Sequence, residues 1–293
     1  MRTPLLWAGV VAAVLLAPLS RAQTTPLSPR ELVRQSVEAE LDPAGNQTRF
    51  MFRVHKQTPS GSQTKIFVQT REAVAGLVVA NNDKPLSPEQ QKGEIWRIRR
   101  FLKDPAEMKK KQKQEKEDAE RYERIIRALP DAFVYEYDGT ENGQAGVGQA
   151  GLVLTRLKFH PNPQYDPPSR VEQVLTGMAG HMLLDAKKLR IARIQGTLAE
   201  EVSFGWGFLG HLDRGGRILI EQGNVWEGQW RVTRLEMAFT GKILLFKSIN
   251  VQSAEISSDF HPVSPDLSYA QGVELLRQQQ VTIAGQSGRA GRQ

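Results

Sequence analysis

Five histidines, His55, His160, His181, His211 and His261, are the side chains in this sequence best suited to bind a metal or move a proton near neutral pH. No two of them stand at the i,i+2 or i,i+4 spacing that puts imidazoles side by side on a strand or helix, so there is no local metal motif. A metal site could assemble only from distant strands. Cysteine is absent, which removes thiolate nucleophiles, thiolate ligands and disulfides together. No Gly-x-Ser-x-Gly elbow occurs, and Asp185, His181 and a serine would form a triad only if folding happened to gather them. Glu200 and Glu201 are adjacent and point opposite ways in an extended chain, as solvated ends do rather than an acid/base pair. Gly143, Gly146, Gly148 and Gly151 superficially resemble a phosphate cradle but lack its lysine and following helix, and read as a flexible hairpin end. No catalytic residue, metal ligand or cofactor is expected, and binding is favoured over reaction.

The binding surface would have to be apolar and carried on strands. Residues 177–260 read as four or five long strands joined by short Gly-containing turns. Trp230 and Val232 alternate, the phase slips at Thr233 and Arg234, and Leu235, Met237 and Phe239 resume, as a β-bulge in a curved strand requires. After a turn at Gly241, Ile243, Leu245, Ile249 and Val251 share one face, with Leu244, Phe246 and Ser248 on the other. A bent sheet with one greasy concave face needs something to fill it. Phe50, Phe52, Met178, Met182, Trp206, Phe208, Trp230, Val232, Met237 and Phe239 are the candidate lining residues, and the same side chains could equally fill a dry core. Trp206 and Phe208, in Phe204-Gly205-Trp206-Gly207-Phe208, make either a mobile lip or a tight buried corner.

The remaining elements frame that sheet. An amphipathic helix covers residues 26–40, with Ser28 as N-cap and Pro29 at its first position. A three-stranded meander follows over residues 47–80. Ser87 caps a charged helical insertion, residues 87–129. Its first part carries the apolar stripe Ile95, Trp96, Ile98, Phe101 and Leu102, and its later part reads as a solvent-facing helix held by i,i+4 ion pairs. Strands at residues 132–137 and 152–159 precede the long run, and residues 269–278 form a closing helix. The fold class is α+β: a curved antiparallel sheet, an unclosed β-barrel, wrapped over helices.

Met1, Arg2, an apolar run over residues 5–19 and the small residues ending at Ala22 read as a secretory signal peptide cleaved near Ala22. The mature protein would be periplasmic, one domain over residues 23–280 with a disordered tail at 281–293. A formal net charge of +7 suits an anionic membrane surface, or is simply a solvated basic surface. No aromatic-studded basic strand of the RNA-binding kind occurs, so nucleic acid is set aside.

Asn82-Asp83-Lys84-Pro85-Leu86-Ser87, the stretch from Gly180 through Leu184-Asp185 to Arg190, Val202-Ser203-Phe204-Gly205 and Leu244-Leu245-Phe246-Lys247 together resemble the LolA/LolB-like superfamily. The match is nearest to uncharacterised outer-membrane lipoprotein-sorting-like proteins of acidobacterial type. The resemblance covers most of the mature chain and implies an unclosed barrel over helices whose cavity holds acyl chains. Its implied partner is a lipid or acylated protein. The insertion at residues 89–127 is longer than a carrier requires, and neither the carrier's functional arginine nor the receptor's projecting leucine loop maps to a residue here. Three functions follow: a non-enzymatic binding protein sheltering a lipid or lipoprotein, an envelope sensory or structural module meeting another protein, or a cryptic hydrolase.

Overall fold

The computed structural model describes residues 27–42, 47–205, 209–243 and 247–290; the expected leader lies outside them. Helix α1 (Pro29–Leu41) starts where Ser28 Oγ accepts the Glu31 amide and Pro29 fills a position that needs no N–H donor. The meander follows as β1 (Arg49–Thr58), β2 (Gly61–Gln69), β3 (Val74–Asn81) and the two-residue β4 (Lys84–Pro85). The insertion is two helices, α2 (Pro88–Lys103) and α3 (Pro105–Ala132). A capping box between Ser87 and Gln90 starts the first, and Asp104 breaks the pair by accepting the Ala106 and Glu107 amides with its side chain.

The chain then lays down β5 (Phe133–Asn142), β6 (Val153–Pro161), a helical turn α4 (Arg170–Gln173) running into a 3-10 turn, β7 (Met178–Asp185) and β8 (Arg190–Leu198). Next come a small hairpin, β9 (Val202–Phe204) and β10 (Gly210–Leu212), then β11 (Arg217–Trp226), β12 (Gln229–Ile243) and β13 (Lys247–Val263), and finally α5 (Tyr269–Ala290).

All of these strands join one antiparallel sheet of 13, ordered β4-β3-β2-β1-β13-β12-β11-β8-β7-β6-β5, with β10 and β9 attached beside β12. The last strand pairs with the first meander, while the ends of the path, β4 and β5, do not pair with each other, so the sheet curls without closing into a barrel. The bulge expected at Thr233 is present: Glu221 pairs with Arg234 but Gln222 pairs with Val232, leaving Thr233 unopposed. A second slip sits between β1 and β13, where Met51 faces His261 and Arg53 faces Ser258, next to Asp259 in the left-handed region at φ 54°.

Directly paired residues share a face, and the register runs from Lys56 through Glu255, Leu235, Ile220, Ile194 and Met182 to Leu157. That line traces one inner face across β1, β13, β12, β11, β8, β7 and β6. Over β5–β8 this face is filled. Leu32, Val33 and Val37 of α1 and Ile126 and Leu129 of α3 pack on Phe133, Leu157, Phe159, Met178, Met182 and Leu198. The second helix layer lies on the opposite face. Ile66 and Val68 alternate with Lys65, Phe67 and Gln69 along β2, and they pack with Leu77, Ile98, Tyr269, Val273 and Leu276 under α2 and α5.

The two insertion helices, α2 and α3, seal the exposed edge of β3. Glu115 accepts the Val74 amide at 3.2 Å, Glu94 accepts the Val78 amide at 3.1 Å, and Arg97 donates to the Gly76 carbonyl at 2.8 Å. Three backbone groups that would otherwise template another strand are thereby occupied.

Three expectations need correction. The turn is not at Gly241: β12 runs through that residue, which pairs with both Ile249 and Leu212, and the chain reverses between Ile243 and Lys247. Glycine stands there because β10 crowds it, a Cβ on Gly241 falling 2.1 Å from the His211 carbonyl oxygen. Residues 244–246 of the expected alternation lie outside the described residues. The glycine-rich loop is pinned, not free. The Gly148 amide donates to the Gln222 carbonyl at 2.7 Å, and Thr233 Oγ1 donates to the Gly146 carbonyl at 2.6 Å. Finally, α5 runs on to Ala290, past the expected end at Gln278.

Candidate functional site

The inner face changes character beyond β12. Between β2, β1, β13 and β12 it carries a cavity of about 590 Å³ floored by Phe50, Phe52, Val54, Phe67, Val232, Leu235 and Phe260. Four of these rings form a ladder. Phe52 stacks on Phe67 with centroids 5.6 Å apart and on Phe260 at 5.3 Å, while Phe50 meets Phe260 edge-on at 6.0 Å. The ladder is a consequence of register, because Phe52 pairs directly with Phe67 and the bulge beside Asp259 brings Phe260 against both β1 phenylalanines.

Charged side chains line the cavity beside this floor. Lys56 Nζ lies 2.8 Å from Glu255, across the β1–β13 pair. Lys65 makes no ion pair within 4 Å among the described residues, and burial, followed by the Arg97 guanidinium, holds its ammonium below the ordinary lysine value. The Arg231 guanidinium sits 5.0 Å from the Phe50 ring centre and donates to the Thr48 carbonyl at 2.9 Å. Burial, then the nearby Arg190 cation, lowers its affinity for its proton. Arg190 in turn donates to the Ala39 carbonyl and lies 3.7 Å from Glu40 at the end of α1. A charge cluster, buried Glu40 and Arg190 with half-buried Arg231, therefore stands where the filled part of the inner face meets the open part.

Such a site can hold an extended apolar chain and meet a charged end at its rim. No family model and no curated protein sequence matches the chain. One solved structure is similar. It is a crystal structure described as an outer membrane lipoprotein-sorting protein domain from Vibrio parahaemolyticus, with 8% sequence identity, a TM-score of 0.34, and alignment over 85% of this chain and 98% of that one. At that TM-score the likeness carries no functional argument.

The residues singled out in the sequence are dispersed by the fold. Phe50, Phe52 and Val232 come together in the groove. Met178 and Met182 lie in the dry core beneath α1 and α3, and Phe239 packs against that core. Trp230 is buried in a separate cluster with Val147, Leu154, Leu183 and Ala192. Met237 lines a more polar depression beside Arg217 and Glu236. Trp206 and Phe208 lie outside the described residues.

Sequence reasoning missed Phe67, Val54, Leu235 and Phe260 as partners in one floor. Their signal was present in the alternation of β1 and β2 but needed the β1–β13 pairing to be seen. It also missed a cluster formed by the β9–β10 hairpin, where ligand atoms of Glu201, His211 and Asp213 lie within 4.8 Å of one another. His211 Nε2 is 3.3 Å from Asp213, and Glu201 is exposed and accepts from Ser203. Glu201 stands ten positions before His211, so no spacing motif could announce it.

Proposed function

We propose that this protein is a non-enzymatic periplasmic binding protein that shelters the hydrocarbon chain of a lipid or an acylated protein in the inner-face groove. The observation that carries the reading is the floor of stacked phenylalanines, Phe52, Phe67 and Phe260, left uncovered on a face that is packed with helices elsewhere. A cavity of about 590 Å³ is of ordinary size for a small-ligand site, and Lys56, Gln63, Lys65, Gln69, Arg231 and Glu255 line it beside the phenylalanine floor. Lys65 and Arg231 there suit an anionic headgroup or carboxylate. The apolar leader at residues 5–19 supports export.

Mass spectrometry of organic extracts of the protein purified from its native envelope tests this directly. A co-purifying lipid at a stoichiometric level, lost in Phe52→Asp, is the expected result. No lipid, together with no binding of a fluorescent fatty-acid analogue, would overturn it and leave the sensory or structural module as the better reading.

A further inference from the structure

The outward face of α2 has a composition that its neighbour α3 lacks. Lys92, Trp96, Arg99, Arg100 and Lys103 fall at i, i+4, i+7, i+8 and i+11, which places them along one side of the helix, and all five are exposed. Trp96, at the middle of the stripe, is 69% exposed, the most of any large apolar side chain among the described residues. It borders a cleft of about 700 Å³ between α2 and α5, with Ile95 and Pro88 on the apolar side and Arg277 across from it.

Most cations of this stripe make no salt bridge among the described residues. Arg100 reaches Glu107 at 3.2 Å, whereas Lys92, Arg99 and Lys103 make no ion pair within 4 Å among the described residues. Four acids stand nearby: Glu89 lies one turn earlier, Asp104 is committed to capping α3, Glu107 is paired with Arg100, and Glu274 of α5, close enough to feel Arg99, is bound to Arg277. Along α3 the opposite holds: Lys111–Glu115, Lys113–Glu117, Lys116–Glu120 and Glu123–Arg127 pair at i,i+4 and cancel.

We infer that this face of α2 docks on an anionic phospholipid bilayer, with Trp96 at the headgroup level and Lys92, Arg99 and Lys103 against lipid phosphates. A tryptophan amid lysine and arginine is the combination that the bilayer interface favours, the ring amphipathic and the cations drawn by surface potential. The inference is independent of what occupies the groove, because α2 covers the opposite face of the sheet.

Co-sedimentation with vesicles of phosphatidylcholine, alone or with one-third phosphatidylglycerol, tests it on the mature protein. Binding is expected only with phosphatidylglycerol, and should weaken as salt rises. Each cation removed should cost about fivefold in affinity, so Arg99→Gln/Lys103→Gln binds about 25-fold more weakly. Trp96→Ala should also weaken binding. The matched pair Lys113→Gln/Lys116→Gln on α3 removes the same charge and should bind as the parent does. Equal loss in that control would assign the effect to net charge and overturn the docking face. So would equal binding to phosphatidylcholine alone, or no binding at all. Concentration-dependent dimers abolished by Trp96→Ala, without vesicle binding, would give the face to a second copy instead.

Discussion

One face of one sheet is treated in two ways. Over β5–β8 it is closed by α1 and the end of α3, and Met182 and Leu157 there are 1% and 0% exposed. Over β12, β13, β1 and β2 the same face, continuous by register, keeps an open trough on Phe52, Phe67 and Phe260. Both regions are apolar, so hydrophobicity does not distinguish them. The difference is which helices are available. The chain has α1 and the end of α3 on the inner side, while α2 and α5 are held on the outer side by Ile98, Tyr269, Val273 and Leu276. A sheet this wide offers more inner surface than those two inner helices cover.

If that contrast is right, truncation should hurt in different ways at the two ends. Met182→Ala removes a fully buried side chain under α1 and should lower stability by about 2–5 kcal/mol in urea unfolding, with fatty-acid binding per folded molecule unchanged. Phe52→Ala in the trough should do the reverse, lowering affinity for a fatty-acid analogue by about tenfold or more while costing about 1–2 kcal/mol through lost ring contacts. Equal loss of stability at both sites, with no change in binding, would mean that the trough is merely core.

A smaller effect is expected at the sealed edge of β3. Glu115→Ala and Glu94→Ala each strand a backbone amide and should cost about 1–2 kcal/mol, with increased aggregation as a second readout. For Glu94, burial pushes the carboxyl up, but the Arg97 and Val78 hydrogen bonds outweigh it and leave it below the ordinary carboxylate range. A depressed folded value stabilises above the unfolded value of roughly 4.3 and loses that contribution as pH falls through the folded one. The difference between the parent and Glu94→Gln should therefore be present at neutral pH and vanish in acid, as followed by urea midpoints. Smallest of all, Arg127→Ala breaks an exposed pair with Glu123 on α3 and should change stability by less than about 0.5 kcal/mol.

Much of the fold was legible. Ser28-Pro29 and Ser87-Pro88 mark helix starts by local chemistry, and the slip of apolar phase at Thr233 marks the bulge. What local pattern could not give was pairing between distant strands. Phe52 and Met178 look alike in sequence, each a large apolar residue on an alternating strand. Only the β1–β13 pairing puts one in the trough, and only the helix overhead puts the other in the core. Gly241 misled for a related reason: a glycine demanded by the approach of β10 reads like one demanded by a turn. Trp96 likewise fitted an apolar stripe by spacing alone, although the helix presents it outward.

The most direct test is a crystal of the protein grown with a bromine-labelled fatty acid, in which anomalous scattering locates the hydrocarbon. Bromine peaks along Phe52, Phe67 and Phe260 are the expected result. Peaks displaced to the Met178–Met182 region, or a labelled chain bound elsewhere with the phenylalanine floor empty, would contradict the division of the inner face into a filled part and an open one.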